Sequence, residues 1–289
     1  MVLSLMILAA PLASLLTLIS VGTVSAEPDS RGPIYIDGDE SFTSANGVNG
    51  GGSGTEDDPY IIENWVINAS SAHGIHIRNT TAYFIIRNCL VENGGGSYYG
   101  IYLENVKNGR VENCVVRNNY YGIYLRDSDN NIISNNTVRD SETGIFLVYY
   151  SDNNTLDNNR LDNNAQNFGI YGASLSDFVH DIDNTNLVNG KPIIYLVGEN
   201  NIVINQENEV GFLGIVNAEN VRVENLILGG NYEGILLAYV KNSHVENVLC
   251  ENNYYGIYLS DSNNNTFSNN IVENNSDTGI CLRDSDNNT

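Results

Sequence analysis

The sequence predicts an all-β solenoid, and three observations make that prediction. The pattern Gly-Ile-x-Leu returns ten times, from Gly74-Ile75-His76-Ile77 and Gly100-Ile101-Tyr102-Leu103 to Gly256-Ile257-Tyr258-Leu259 and Gly279-Ile280-Cys281-Leu282, at intervals of 20 to 26 residues. Each interval holds three short apolar patches with period-two alternation, separated by Asn, Asp, Ser and Gly, which reads as three short strands joined by tight turns. The chain also holds 47 Asn in 289 residues, a residue that resists helices and accepts left-handed turns. A unit this small cannot bury a face alone, but stacking each turn on the last can. A leucine-rich repeat would need its Leu-x-x-Leu-x-Leu frame and a helical segment, and neither is present. The consistent fold is a single-stranded right-handed parallel β-helix of about ten rungs, with three strands per rung.

Read in order, Val2 to Val24 is uncharged and mostly apolar, and Val24-Ser25-Ala26 precedes Glu27. That predicts a signal peptide over 1–26; the alternative is an uncleaved anchor. Residues 27–59 fall outside the repeat and are expected to form an N-terminal cap. The coil then covers 60–289, with a variant rung at 174–213. The final Asp284-Ser285-Asp286-Asn287-Asn288-Thr289 matches the phase of Asp261-Ser262-Asn263-Asn264-Asn265-Thr266, so the array is expected to continue beyond it. With 13 basic and 35 acidic residues and a net charge of −22, nucleic-acid and anionic-membrane partners are excluded. No second long apolar run predicts membrane insertion of the mature chain.

Stacking places equivalent residues in columns roughly 4.8 Å apart. Asn136, Asn159 and Asn270 share one column, where their amides are expected to bond along the axis. Cys89 and Cys114 fall in the same column in adjacent rungs, near enough for a disulfide. Cys250 is read as core filler and Cys281 as outward.

The variant rung carries Phe178-Val179-His180-Asp181-Ile182-Asp183 and Val188-Asn189-Gly190-Lys191-Pro192. It is either a ligand or metal cluster or a rung closed by different turns, and one His among carboxylates is a sparse donor set. These segments, the Asp58-Pro59-Tyr60-Ile61-Ile62 stretch and the Asp-Asn-Asn-Thr rungs resemble the NosD-like β-helix repeat proteins of the pectin-lyase-like superfamily, many of them exported archaeal surface proteins. The resemblance implies the coil. It also implies a role among lyases, hydrolases, adhesins or accessory factors for a copper enzyme.

The residues weigh against most of that chemistry. Met1 and Met6 are the only methionines, and His73 and His76, three apart in a strand, are expected on opposite faces. No metal or other cofactor is therefore expected. Glu224 with Glu246, and Glu251 with Glu273, stack as carboxylate pairs of glycosidase-like spacing, although an acidic solenoid offers such pairs on any solvated face. Asp127-Ser128-Asp129-Asn130-Asn131 begins like a calcium loop but lacks its Gly and closing Glu. Sequons at Asn68, Asn79, Asn135, Asn153, Asn264, Asn274 and Asn287 permit glycosylation in an exported chain.

The most suggestive surface feature is the x of Gly-Ile-x-Leu, which should point outward. It is read as His76, Tyr102, Tyr124, Phe146, Tyr171, Tyr195, Val216, Leu236, Tyr258 and Cys281. Tyr102, Tyr124, Phe146, Tyr171, Tyr195 and Tyr258 are the candidate ligand-binding residues, as rings able to stack on sugars. Cross-strand pairing that only steadies the sheet is the competing account. The functional expectation is an exported cell-surface or periplasmic β-helix, non-catalytic, whose partner is a glycan or a cell-surface protein. A polysaccharide-active enzyme is the alternative, and an accessory factor for a copper enzyme the third.

Overall fold

The computed structural model describes residues 29–205 and 209–289, so the expected signal peptide lies outside the described residues. Among these residues the regular structure is almost entirely strand, with three single-turn 3-10 segments. Each rung visits three sheets in turn. In the rung from Ile101, Ile101–Val106 lies in the first sheet, Gly109–Glu112 in the second and Val115–Arg117 in the third. With one exception, neighbouring strands pair in parallel with their counterparts one rung away, as Ile123 does with Ile101 and Ile145.

The corners explain the asparagines. Most Asn-Asn steps divide two tasks: the first residue takes positive φ (Asn130 56°, Asn135 57°, Asn158 51°) and turns the chain. The second points inward and bonds to the rung above. Asn136 Nδ2 donates to Asn159 Oδ1 at 3.0 Å, and Asn159 Nδ2 donates to Asn186 Oδ1 at 2.8 Å. Two parallel ladders run through Asn131 and Asn154, and through Asn119, Ser141 and Asn164. Between the ladders the interior is filled by aliphatic columns such as Ile75, Ile101, Ile123 and Ile145, all fully buried. The corner glycines are dictated by this packing: a Cβ at Gly100 would fall 2.3 Å from Val116 Cγ1.

The coil starts earlier than the sequence suggested. Asp29–Arg31 and Ile34–Asp37, inside the expected cap, already pair with Trp65–Ile67 and Ile75–Arg78. The covering of the end is left to residues 38–59, which bury Phe42 and Val48 and stack Phe42 on Tyr60 at 4.6 Å.

The larger departure is that the coil is not continuous. At Asn189 (φ 48°) and Gly190 (φ 80°) the chain makes a two-residue hairpin. Lys191-Pro192 thereby runs antiparallel to Leu187-Val188. The first coil ends there. A second begins with Lys191–Val197, followed by Phe212–Val216, Glu233–Ala238, Tyr255–Ser260 and Thr278–Arg283 in one parallel sheet. The second coil has its own core, including Leu213, Ile215, Ile235, Leu237, Ile257 and Leu259. The residues alternating with these, Phe212, Leu236, Ala238 and Tyr258, belong instead to the core of the first coil. The outer face of the second coil thus closes the end of the first, and Phe168 meets Phe212 edge-on at 4.9 Å.

Candidate functional site: the aromatic face

The first sheet of the first coil carries the aromatic column on its outer side. His76 lies opposite Tyr102, Tyr102 opposite Tyr124, and Tyr124 opposite Phe146. Their ring centroids are 4.3, 5.2 and 6.0 Å apart, and His76 is stacked flat on Tyr102. Tyr35 precedes His76 at 5.3 Å and is the most open ring of the column.

A second column lies alongside. His73, Tyr99 and Tyr121 each precede the corner glycine, and the bend there turns them onto the same side as the x residues. His73 is accordingly 5.5 Å from His76. The expectation that these two face opposite ways fails because strict alternation stops at the glycine corner. Tyr99 contacts both Tyr102 and Tyr124 (5.2 and 5.0 Å), and Tyr121 contacts Tyr124 at 4.8 Å. Tyr120 extends the array, and the second coil adds Tyr232, which meets Phe146 at 4.4 Å, with Tyr254 and Tyr255 behind it. Sequence reasoning missed these flanking rings. The signal was the doublet Tyr98-Tyr99, Tyr120-Tyr121 and Tyr254-Tyr255 ahead of each Gly.

The six predicted residues divide. Tyr102 and Phe146 lie in the face but are sealed by their neighbours, at 8% and 5% exposure. Tyr124 is half-buried. Tyr171 is not in the column: Phe146 lies opposite Gly169, and Tyr171 stands two places on, opposite Val148. The same slip applies to Val216, whose assigned place is taken by Gly214 opposite Tyr195 and Leu236. Both glycines make way for rings, since a Cβ on Gly169 would fall 2.4 Å from Tyr232 Cβ, and one on Gly214 2.4 Å from Tyr195 Cδ2. Tyr195 and Tyr258, 8% and 1% exposed, face the end of the first coil rather than solvent. Tyr195 donates its hydroxyl hydrogen to the Phe178 carbonyl at 2.5 Å. The outward reading fails for these two because the second coil turns its outer face inward on the joint.

Ionisable groups sit at one end of the face. His76 Nε2 is 3.3 Å from Glu104 Oε2, Arg78 Nε is 3.4 Å from the same oxygen, and His73 Nδ1 accepts the Tyr99 amide at 3.0 Å. Burial lowers the pKa of both imidazoles, and for His76 the Glu104 carboxylate opposes it. Burial also pushes the Tyr102 phenol up to about 12. At neutral pH the face is therefore a set of uncharged rings with a neutral His76 beside Glu104.

The other candidates resolve into structure. His180 continues the Asn131 ladder: its Nδ1 accepts the Asn154 amide at 3.3 Å, and Nε2 donates to the Asp177 carbonyl at 3.0 Å. Burial takes its pKa down to about 4. Glu224 and Glu246 do lie opposite each other, but Arg222 bridges both, with Nε 2.7 Å from Glu224 Oε2. Asp127 and Asn130 supply positive-φ corners, and Ser128 between them donates inward to Leu103 O at 3.1 Å.

The model for the right-handed beta helix region matches residues 46–208. The chain belongs to the right-handed β-helix family. Residues 181–289 also match the model for the periplasmic copper-binding protein NosD. No curated protein matches the sequence. Among solved structures, the mannuronan C-5 epimerase AlgE4 A-module of Azotobacter vinelandii aligns at 13% identity and a TM-score of 0.39, over 78% of this chain and 60% of its own. The present β-helix thus spans about three-fifths of that module. An alginate lyase from a Paenibacillus species aligns at 11% identity and the same score, over 88% of this chain and 99% of its own.

Copper is the metal that the NosD description implies, and the donor set does not suit it. Among the described residues no three His, Cys, Asp or Glu side chains come together as a metal centre requires. Within 181–289, Cys250 is buried in an aliphatic core, His244 is exposed on the second sheet of the second coil, and Cys281 stands on the far side of the wall.

Proposed function

We propose that this β-helix protein is an exported, non-catalytic protein of the cell surface or periplasmic space that binds a glycan chain along the aromatic face of its first coil. The observation carrying the proposal is the double column of rings, His73, Tyr99 and Tyr121 beside His76, Tyr102 and Tyr124. The half-buried His73, His76, Tyr99, Tyr121 and Tyr124, held in a rigid sheet around the sealed Tyr102, offer flat apolar surface with polar tips at little entropic cost, which suits the faces of sugar rings. The acidic remainder of the molecule disfavours anionic partners elsewhere. Tyr99 and Tyr121 take over the role first given to Tyr195 and Tyr258, while Tyr124 keeps it. The periplasmic description of the NosD model supports the proposed location. A glycan array tests the proposal: Tyr99→Ala and Tyr121→Ala should each weaken binding about tenfold, the equivalent of roughly 1.4 kcal/mol. Tyr195→Phe, at the joint, should leave it unchanged. Equal loss in all three variants, or no glycan bound, contradicts the proposal.

One observation favours a second reading, polysaccharide-active chemistry. The neutral His76, hydrogen-bonded to Glu104 and framed by Tyr35 and Tyr102, is the group on this face placed for proton transfer. If reducing-sugar or unsaturated-uronate assays detect product, His76→Ala should abolish it and Glu246→Gln should not. The reverse pattern would return catalysis to the stacked glutamates.

A further inference from the structure

The column that binds rung to rung through Asn136, Asn159 and Asn186 begins with two residues that cannot make an amide link, Cys89 and Cys114. They occupy the corner just before the third-sheet strands, where Leu90 lies opposite Val115 and Val91 opposite Val116. The Val115 amide donates to the Cys89 carbonyl at 2.9 Å, so the two cysteines are stacked without an offset. Both side chains point inward and are buried, at 2% and 1% exposure. Their orientations match: Cys89 Sγ lies 3.3 Å from the Arg87 carbonyl and Cys114 Sγ 3.4 Å from that of Glu112, two residues back in each case. Neighbouring strands stand about 4.8 Å apart, inside the window of roughly 4.4–6.8 Å that a disulfide spans between Cα atoms.

We propose that Cys89 and Cys114 are an oxidative modification site, forming a cross-rung disulfide that takes the place of the amide link in this part of the ladder. The remaining cysteines are poor competitors, since Cys250 points into the second core between Leu228 and Val272 and Cys281 projects from the outer side of its sheet. The co-reactant is a low-molecular-weight disulfide. The Cys89 thiolate attacks one of its sulfurs, forming a mixed disulfide and releasing one small thiolate. Cys114 then attacks Cys89 Sγ, breaking the mixed disulfide and releasing the second. The two cysteine protons end on the two released thiols. The two roles can exchange, since the cysteines stand side by side in matching orientation.

The test is to refold the full chain with oxidised glutathione, then count thiols in denaturant and map peptides by mass spectrometry. The expected result is two of the four thiols lost, a Cys89–Cys114 peptide in monomeric protein, and slower unfolding that dithiothreitol reverses. The Cys250→Ser/Cys281→Ser double variant should lose both of its thiols in the same treatment, without depending on a substitution inside the ladder. Four thiols remaining in the refolded protein, or loss that maps to Cys250 or Cys281, overturns the proposal.

Discussion

Asn159 shows what a single buried amide contributes here. Its Nδ2 donates to the Ile133 carbonyl at 2.7 Å and to Asn186, while its Oδ1 accepts from the Asn136 backbone and side chain. Asn159→Ala leaves several buried groups unpaired at about 1–3 kcal/mol each, so chemical denaturation should show a loss of roughly 2–4 kcal/mol. Its neighbour Asn158, exposed at φ 51°, should tolerate glycine within about 0.5 kcal/mol. Glu233 makes the opposite case. It is fully buried at the joint, accepts the Ile170 amide at 3.3 Å through Oε2, and leaves Oε1 without a partner. Tyr195, Tyr232 and Tyr258 surround it without bringing a positive charge, although Arg283 lies beside Tyr258. Burial raises its pKa well above the usual carboxylate value. The folded state then holds a proton that the unfolded chain releases above about pH 4.3. Stability should fall as pH rises through the window between the two pKa values. Glu233→Gln should remove that fall, melting above the parent protein at pH 8 and equal to it near pH 4. A parallel decline in both proteins would mean that Glu233 is charged in place.

At the scale of elements, the strands were legible and the breaks were less so. Period two within each patch and a Gly before each Ile locate the first-sheet strands, because inward residues must be aliphatic and the corner has no room for a Cβ. The Asn-Asn doublets were legible as turns. The inward member was legible as the ladder column of Asn136, Asn159 and Asn270, whereas the left-handed φ of the residue before it was not, since only the fold assigns it. The hairpin was announced by Asn189-Gly190 but was absorbed into a repeat that normally turns on Asn and Gly. The shifts at Gly169 and Gly214 have the same origin: Gly-Ile matched the motif, yet each glycine occupies the x place because a ring from elsewhere covers it. That account predicts Gly169→Val to cost roughly 1–3 kcal/mol by overpacking against Tyr232. Gly96→Ala, with nothing within 4 Å, should cost little. Denaturation midpoints compare the two, and equal effects would remove the reason given for the glycine.

Across the whole molecule, two coils share one problem, the open end of a solenoid, whose exposed interior and unpaired strand edge invite association. The first coil closes one end with residues 38–59 and the other with the outer face of the second coil. There Asn167 donates its amide to Gly230 at 2.7 Å, and Arg283 Nη1 donates to the Gly172 carbonyl at 2.6 Å. This closure removes Tyr195 and Tyr258 from the surface and carries Tyr232 onto the aromatic face beside Phe146. The face proposed to bind glycans is therefore built by both coils. A crystal structure resolving residues 160–240 is the most direct measurement. The account predicts Lys191-Pro192 antiparallel to Leu187-Val188 and the Tyr232 ring over Gly169. Finding Lys191–Val197 stacked in parallel on Gln166–Tyr171, as one unbroken coil, would contradict it.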